Sequence, residues 1–310
     1  MTKPRIAVAI GDPAGIGPEI ALRAAADPSV HAACDLTLVG DRDILALYGS
    51  RYRLAVPDAV VDVGALGASR LNPGKSDADC GRAILAYAGR AVAMGLNGDV
   101  DAVVACPQTQ SSIKAAGIAF DGYPSFVARE TGTEEDDVFM MLASDRLRIA
   151  HVTLHLGVRE ALDLIDRPRV IRTLRAADAA LKRIGIAAPR IAVSGINPHA
   201  GEGGLFGREE IDIVAPAIEA AKAEGIDAHG PFGADTMYLD EGYDAFVVML
   251  HDQGHIPAKL VGFRGTAAFT IGTPVLFSSV AHGSALDIAG KGIADPGALV
   301  WTLKQLAGAA

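Results

Sequence analysis

The segment Ile6–Ala26, IAVAIGDPAGIGPEIALRAAA, decides the fold class of this chain. Its beginning, Ile6–Ile10, is a short apolar run that predicts a strand. Its end, Gly17–Ala26, has the apolar spacing of a helix. A glycine-containing loop connects the two. A strand, a loop and a helix in this order are the repeating unit of an α/β fold.

The same alternation continues along the chain and predicts an α/β protein. Further strands are predicted at Leu36–Val39, Ala102–Ala105, Ile191–Ser194, Ala245–His251, Ala267–Ile271 and Val275–Ser279. Further helices are predicted at Asp41–Leu47, Asp77–Leu96, Gln108–Ala116, Arg169–Ile184, Glu209–Glu224 and Gly297–Ala307. In the middle, Val138–Leu142 and Leu147–Leu154 predict an antiparallel strand pair joined at Ala143–Arg146, which indicates a second subdomain.

Length and charge narrow the function classes. A chain of 310 residues accommodates two domains or one large α/β unit. Its 28 basic and 37 acidic residues give a net charge of −9, with no basic run, so neither nucleic acid nor a membrane surface is expected as a partner. No segment is apolar enough to span a membrane, and the first residues do not resemble a signal peptide, so we expect a cytoplasmic protein. The three cysteines lack metal-type spacing and are predicted to be buried thiols.

Three histidines follow or end apolar runs in polar, glycine- or proline-containing settings: His155, His199 and His251. Strand ends are where α/β folds place their sites, and three imidazoles leave a coordination position open, as a catalytic metal ion requires. The alternative is that each is a core or loop histidine. His151 competes as a ligand because it would share a strand face with His155, whereas His255 would contact substrate or support a ligand.

Two glycine-rich segments predict a nucleotide site. In GDPAGIGPE, residues 11–19, the candidates are Gly11, Asp12 and Gly15, where backbone N–H groups and a helix start favour an anion. The third glycine of a Rossmann fingerprint is absent, because Ile20 stands there. In HGSALDIAGKGIADP, residues 282–296, the candidates are His282, Gly283, Ser284, Ala285, Asp287 and Asp295, and the two acids suit ribose hydroxyls. A glycine-rich surface loop is the alternative for this second segment.

The two segments resemble loops of isopropylmalate and isocitrate dehydrogenases, the first near nicotinamide and the second around adenosine. This resemblance implies NAD bound without a Rossmann domain, in a two-domain fold of the isocitrate/isopropylmalate dehydrogenase type. Residues 1–125 and 280–310 would form a discontinuous NAD-loop domain. Residues 126–279 would form the metal, substrate and dimerisation domain.

The whole chain resembles the 4-hydroxythreonine-4-phosphate dehydrogenase family. Its metal-binding motifs are matched by Leu154-His155-Leu156, INPHAGEGG and HDQG, which implies the ligands His155, His199 and His251. The resemblance also implies a homodimer with the site at the subunit interface, where one subunit supplies the third histidine. Asp235 in GPFGADT and Lys259 in IPAKL match polar active-site residues and are the catalytic candidates. Zinc is the expected ion and ferrous iron the alternative.

Departures from the family pattern indicate the substrate. Gly122-Tyr123-Pro124, followed by Ser125, stands where the phosphate enzymes have Gly-His-Thr, and Ala268 and Phe277 replace an Asn and an Arg. Without the Arg fork a phosphate loses its bidentate partner, while Tyr, Pro, Ala and Phe suit a carbocyclic ring. Lys114 and Arg264 are candidates for contacts with a remote carboxylate.

GIAFDGYPS and HVTLH further resemble the branch of the family that oxidises a terephthalate cis-dihydrodiol. We therefore expect NAD- and metal-dependent oxidation and decarboxylation of that diol to protocatechuate. The first alternative is a dehydrogenase of a 4-phosphorylated hydroxy acid, such as 4-hydroxythreonine 4-phosphate, threonate 4-phosphate or erythronate 4-phosphate. The second is a non-catalytic protein that binds metal or nucleotide.

Overall fold

The computed structural model describes residues 3–144, 147–261 and 266–308. It divides into two compact units, the first formed by Met1–Gly132 with Pro274–Ala310 and the second by Thr133–Thr273. The first unit extends a few residues beyond the predicted 1–125 and 280–310, because the helix at Tyr123–Thr131 packs on the helix at Ala78–Leu96 and the strand at Phe277–Val280 pairs with that at Ala102–Ala105.

The strands are β1 Arg5–Ala9, β2 Asp35–Gly40, β3 Val60–Asp62, β4 Ala102–Ala105, β5 Phe139–Ala143, β6 Arg148–His151, β7 Arg190–Ser194, β8 Asp227–Phe232, β9 Ala245–Val248, β10 Ala267–Ile271 and β11 Phe277–Val280. The helices are α1 Gly17–Ala25, α2 Pro28–Ala33, α3 Arg42–Tyr52, α4 Ala78–Leu96, α5 Gln110–Ala115, α6 Tyr123–Thr131, α7 Val158–Leu164, α8 Arg167–Arg183, α9 Ala215–Ala223, α10 His251–Val261 and α11 Gly297–Leu306. Over the described ranges, no helix is both long and apolar enough to cross a membrane.

The first unit is built on five parallel strands in the order β3-β2-β1-β4-β11. β1 and β4 are near-continuous apolar runs because parallel strands of α/β folds are covered on both faces. The order β3-β2-β1-β4, which reverses direction between β1 and β4, is shared with doubly wound sheets, whose ligands bind at the carboxyl ends beside that reversal. The α/β class is confirmed, and the order of these four strands is of the doubly wound kind.

Helix α4 shows why the sequence forms long helices here. Asp77 accepts hydrogen bonds from the backbone N–H groups of Asp79 and Cys80, which satisfies donors that a helix start leaves free. Ile84, Ala88 and Val92 lie on one face of α4 and are fully buried in the first unit.

The second unit is a mixed arrangement of six strands in the order β10-β5-β6-β9-β7-β8. β5 pairs antiparallel with β6 and with β10, while β6, β9, β7 and β8 are parallel. The predicted antiparallel pair is confirmed, and residues 145 and 146 of its connection lie outside the described part. Its core includes Leu142, Ile149, Phe246 and Val248, packed against Ala258 of α10.

Two predicted strand ends are wrong. β9 ends at Val248, and the residues from His251 form α10. Gly254 and Pro257 are unfavourable in a helix, so the sequence did not predict one here. The partly buried face of α10 packs on β5, β6 and β9. β6 ends at His151, so His155 lies beyond the strand and does not share a strand face with His151.

The start of α1 provides a test of the packing in the first unit. A Cβ atom at Gly17 would overlap the backbone carbonyl oxygen of Ile10, whereas a Cβ atom at Gly157 would meet no atom within 4 Å. Alanine in a helix gains up to about 1 kcal/mol in helix propensity, but overpacking against backbone costs about 1–3 kcal/mol. We expect Gly17→Ala to lower the free energy of unfolding by about 2 kcal/mol in chemical denaturation. Gly157→Ala is the control, and equal stability of the two variants would contradict this packing.

Candidate active site

Two of the predicted cofactor segments meet in the first unit. β1, β4 and β11 are parallel, so the residues after their carboxyl ends emerge at one edge of the strands. Ile16 N–H donates to the carbonyl of Ser284 at 3.0 Å, and Thr109 Oγ1 donates to Ser284 Oγ at 2.8 Å. A Cβ at Gly15 would lie 2.8 Å from Ser284 Cβ, so glycine permits this close approach. The structure thus brings residues 11–17 and 282–287 together.

The first of these segments lies below the surface. Residues 11–18 are buried, and Asp12 is fully buried, with Oδ1 accepting from Ala14 N–H at 2.9 Å. Gly11 has φ +70°, and a Cβ atom there would overlap the backbone of Cys106 and Pro107, which follow β4. Packing of the chain explains why Gly11 and Gly15 are glycines, a reason that the sequence alone did not supply. Their cofactor role, with that of Asp12, stays a prediction.

The second segment carries the exposed candidates. His282, Gly283, Asp287 and Asp295 are exposed, whereas Ser284 is buried, and Ala285 is partly buried with φ +42°. The buried carboxylate of Glu19 in α1 accepts from Ala294 N–H at 3.0 Å and from Arg23 Nε at 3.0 Å. Arg23 in turn donates to the carbonyl of Gly292. Helix α1 therefore holds the end of this segment by hydrogen bonds. The exposed polar groups at residues 282–287 take no part in these bonds and are accessible to a ligand.

Two of the predicted substrate residues form one aromatic contact in the first unit. The rings of Tyr123 and Phe277 lie 5.1 Å apart, and both residues are buried. Burial raises the pKa of the Tyr123 phenol, and its hydroxyl has no hydrogen-bond partner among the described residues. Ser125 donates to Asp121 Oδ2, and Ala268 is partly buried on β10 of the second unit. Phe277 is fully buried, and its ring contacts that of Tyr123.

Four histidines gather in the second unit. The ring centres of His155 and His251 are 5.7 Å apart, His251 stacks on His255 at 3.7 Å, and His255 lies 4.8 Å from His151. His155 and His251 also line a cavity of about 440 Å³ together with Thr153, Leu250 and Gln253. Two predicted ligands thus face the same space.

Neighbouring groups affect the tautomer or the charge of three of these imidazoles. Nδ1 of His251 lies 2.7 Å from Asp252 Oδ1, so a proton on Nδ1 is held there and Nε2 is left to bind a metal ion. Burial, with the nearby His251, lowers the pKa of His255 to about 4. Burial, with the nearby His255, lowers the pKa of His151 to about 3. Both rings are therefore neutral near pH 7, and His151 lies inside the unit, where its Nε2 has no partner among the described residues.

His199 lies apart from this group. It follows β7, is exposed, and has the aromatic ring of Phe206 at 6.3 Å. Among the described side chains of one chain, no three His, Cys, Asp or Glu residues are arranged to hold a metal ion. The imidazoles of His155 and His251 fit a divalent transition metal, and a third ligand has to come from outside their immediate surroundings.

The predicted catalytic residues are both exposed in the second unit. Lys259 lies on α10 two turns after His251, and its charge contributes to the low pKa of His255. Asp235 lies in the turn after β8. Lys114 lines a cavity of about 520 Å³ beside α5 in the first unit. Arg264 lies outside the described residues.

Three residues beside the predicted ligands were missed from the sequence: Asp252, Gln253 and Glu210. Gln253 accepts hydrogen bonds from backbone N–H groups of the turn before His251, and Glu210 accepts one from the loop before His199. Asp252 and Gln253 belong to the HDQG motif, which was a signal for their role. Glu210 had none, since it stands among other acids of a helical segment.

Comparisons with known proteins give the family. A family profile described as "Pyridoxal phosphate biosynthetic protein PdxA" matches residues 24–306. A 1,2-dihydroxy-3,5-cyclohexadiene-1,4-dicarboxylate dehydrogenase from Comamonas sp. is 43% identical over 97% of this chain and 96% of its own length.

Two solved structures are also similar over nearly the whole chain. A terephthalate 1,2-cis-dihydrodiol dehydrogenase from Burkholderia xenovorans LB400 is 45% identical, with a TM-score of 0.82 and coverage of 99% and 98% of the two chains. A 4-hydroxythreonine-4-phosphate dehydrogenase from Burkholderia phymatum is 35% identical, with a TM-score of 0.89 and coverage of 100% and 99%. The chain therefore belongs to the PdxA family, and these three relatives are dehydrogenases.

Proposed function

We propose that this protein is a metal- and NAD-dependent dehydrogenase that oxidises and decarboxylates a terephthalate cis-dihydrodiol to protocatechuate. The observation that carries the proposal is the contact between Tyr123 and Phe277. These residues stand where the resemblance to the phosphate enzymes places a His and an Arg. Both residues are buried and uncharged, so these positions offer no cation to pair with a phosphate, which favours a carbocyclic ring over a phosphate.

The substrate chemistry explains why one family serves both substrate classes. In the dihydrodiol, a secondary alcohol lies β to a carboxylate. Transfer of its carbinol hydride to NAD⁺ and loss of the hydroxyl proton give a β-keto acid and NADH. The β-keto acid loses carbon dioxide, the C–C bond electrons form an enol, and tautomerisation gives the aromatic catechol. A phosphorylated hydroxy acid with the same β relationship follows the same course.

The proposed ligands His155, His199 and His251 would hold one divalent ion, zinc or ferrous iron, which when bound lowers the pKa of an alcohol. The chain prepares this site by its own contacts. Asp252 keeps Nε2 of His251 free for ligation, and burial keeps His255 neutral. Lys259 and Asp235, both exposed, are proposed to move the alcohol and enol protons.

NAD is the proposed cofactor, held at residues 282–287 with Asp295 and the buried loop of Gly11, Asp12 and Gly15. The exposed carboxylate of Asp287 supports NAD over NADP because it would repel a ribose phosphate. The two-domain, isocitrate dehydrogenase-like division into an NAD unit and a metal and substrate unit is part of this proposal.

A homodimer with the site at its interface is also proposed. α10 exposes Ile256 and Leu260, one turn apart, and Leu260 is 81% exposed. Val158 of α7 and Leu205, after the His199 loop, are exposed as well. Large apolar side chains near predicted ligands support a protein interface there. A partner subunit would also supply the third imidazole.

The substrate assignment is tested by NADH absorbance with metal-loaded protein and two substrates in parallel. We expect NADH, protocatechuate and carbon dioxide in equal amounts from the terephthalate cis-dihydrodiol, and no NADH from 4-phosphohydroxy-L-threonine. Turnover of the phosphate alone would establish the alternative, which the similarity to the Burkholderia phymatum enzyme supports. NAD or metal binding without NADH from either substrate would indicate a non-catalytic protein.

The metal site is tested by His199→Ala. We expect loss of bound metal and a fall in kcat of at least about a hundredfold, because a ligand is removed, while the Kd for NAD stays within twofold. Metal analysis, turnover and equilibrium dialysis with NAD give the three readouts. His31→Ala, at an exposed histidine of α2, is the control. Full turnover of His199→Ala in the presence of a metal chelator would contradict a metal-dependent reaction.

Tyr123→Phe tests the proposed substrate contact. Its unpartnered hydroxyl is costly when buried, so removal should leave the free energy of unfolding unchanged or raise it by up to about 1 kcal/mol. The proposed contact with the dihydrodiol predicts that kcat/KM falls by about tenfold, the value of one hydrogen bond. Tyr48→Phe is the matched control, since the buried Tyr48 hydroxyl donates to Pro13 at 2.9 Å and its loss should lower stability. Unchanged kcat/KM in Tyr123→Phe would show that the hydroxyl does not meet the substrate.

A further inference from the structure

The loop that carries His199 has an unfavourable backbone. His199, Ala200, Gly201, Glu202 and Gly203 all have positive φ, between 43° and 79°. Residues with a Cβ avoid this region, and such a run persists only where its surroundings impose it. The ring of His199 is exposed, so the side chain itself does not impose the loop conformation. The cause has to lie in the contacts at the base of the loop.

Glu210 provides one of these contacts. It is 3% exposed, and its Oε1 accepts hydrogen bonds from the N–H groups of Ile196 and Asn197, both at 2.7 Å. Its Oε2 accepts from Nδ2 of Asn197 at 3.0 Å. Although burial alone would raise the pKa of Glu210, these hydrogen bonds hold it below its usual value, so the carboxylate is ionised at neutral pH. Three donors of the loop thus converge on one buried charge.

Gln253 provides the other contact and reaches a second loop. Its Oε1 accepts from the N–H groups of Met249 and Leu250, at 3.0 and 2.9 Å, in the turn that leads into His251. Its Nε2 donates to the carbonyl of Gly195, at 3.0 Å, at the start of the His199 loop. One amide side chain therefore joins the turn before His251 to the loop before His199.

We propose that Gln253 and Glu210 are positioning residues that fix the His199 loop against the His251 turn within each chain before any metal binds. The inference rests on the proposed metal site and adds the residues that set its geometry. Both loops leave β7 and β9, which are neighbouring parallel strands, so a single side chain can span them. In a dimer, the same bond would couple the ligands that one chain contributes, whichever site each serves.

Gln253→Glu separates the two functions of this side chain. The substitution preserves shape and keeps an oxygen for Met249 and Leu250, but it removes the donor to Gly195 and sets a carboxylate against a carbonyl oxygen. We expect Co²⁺ affinity of the full-length protein, measured by competition with a chelator, to fall by about tenfold. Gln110→Glu is the matched control, because the Gln110 amide also faces a backbone carbonyl, that of Phe120, away from the histidines.

Glu210→Gln gives an independent variant should Gln253→Glu fail to fold. It removes the charge and turns an amide towards Asn197, so we expect Co²⁺ affinity to fall several-fold, about as for other supporting hydrogen bonds to ligands. Glu209→Gln is its control, because the exposed Glu209 carboxylate accepts from the same Asn197 amide at 2.7 Å.

The melting temperature of the metal-free protein distinguishes positioning from plain structural support. A lower melting temperature with unchanged Co²⁺ affinity in both variants would overturn the inference and leave the proposed function intact. If the His251→Ala variant binds Co²⁺ as tightly as the wild-type protein does, the proposed metal site is wrong, and both proposals fall. Weaker Co²⁺ binding in Gln253→Glu and Glu210→Gln, with both controls at the wild-type value, supports positioning.

Discussion

The close approach of Gly15 to Ser284 is the constraint on which the first unit depends. It joins the loop after β1 to the segment after β11, far apart in the sequence but side by side at the carboxyl ends of parallel strands. A Cβ at Gly15 would displace Ser284, and with it the hydrogen bond from Ile16. Together with the pairing of β11 and β4, this close contact, which glycine allows, joins the two parts of the discontinuous unit. The exposed groups of residues 282–287 are placed by this contact rather than by their own packing.

In the second unit, the candidate imidazoles lie at or near the surface, and hydrogen bonds from neighbouring side chains hold two of them or their loops in place. The ligand candidates are exposed or half-exposed, and two of them have a supporting carboxylate: the exposed Asp252 contacts Nδ1 of His251, and the buried Glu210 accepts from the backbone of the His199 loop. Side chains that accept two backbone donors with one oxygen remove freedom from a whole loop. The pKa of His255 is low because its imidazole is half-buried, stacks on His251 and lies near Lys259, all of which disfavour its protonated form.

Much of the fold could be predicted, because long periodic segments and apolar runs carry their own signal. The bounds of β4 and β10 agree with prediction, and α4 differs by one residue at its start. Helix α10 could not be found, since Gly254 and Pro257 argue against a helix locally and tertiary packing overrides them. The grouping of His155 with His251 was predicted from strand ends, yet His251 reaches it from a helix start. The role of Glu210 depends on contacts across the chain that no local pattern encodes.

The burial of Phe277 changes how substrate choice within the family is to be understood. Phe277 has no exposed surface on β11, so under the proposed function it would affect a ligand through the ring of Tyr123 rather than by direct contact. Placing an arginine there would bury a guanidinium against an aromatic ring, and the desolvation would exceed any gain unless an acceptor were present. Under the proposed function, a change from a ring-shaped to a phosphorylated substrate would therefore require both positions to change together. The contact between the two rings couples the proposed roles of Tyr123 and Phe277, so a substitution at either position would affect the other.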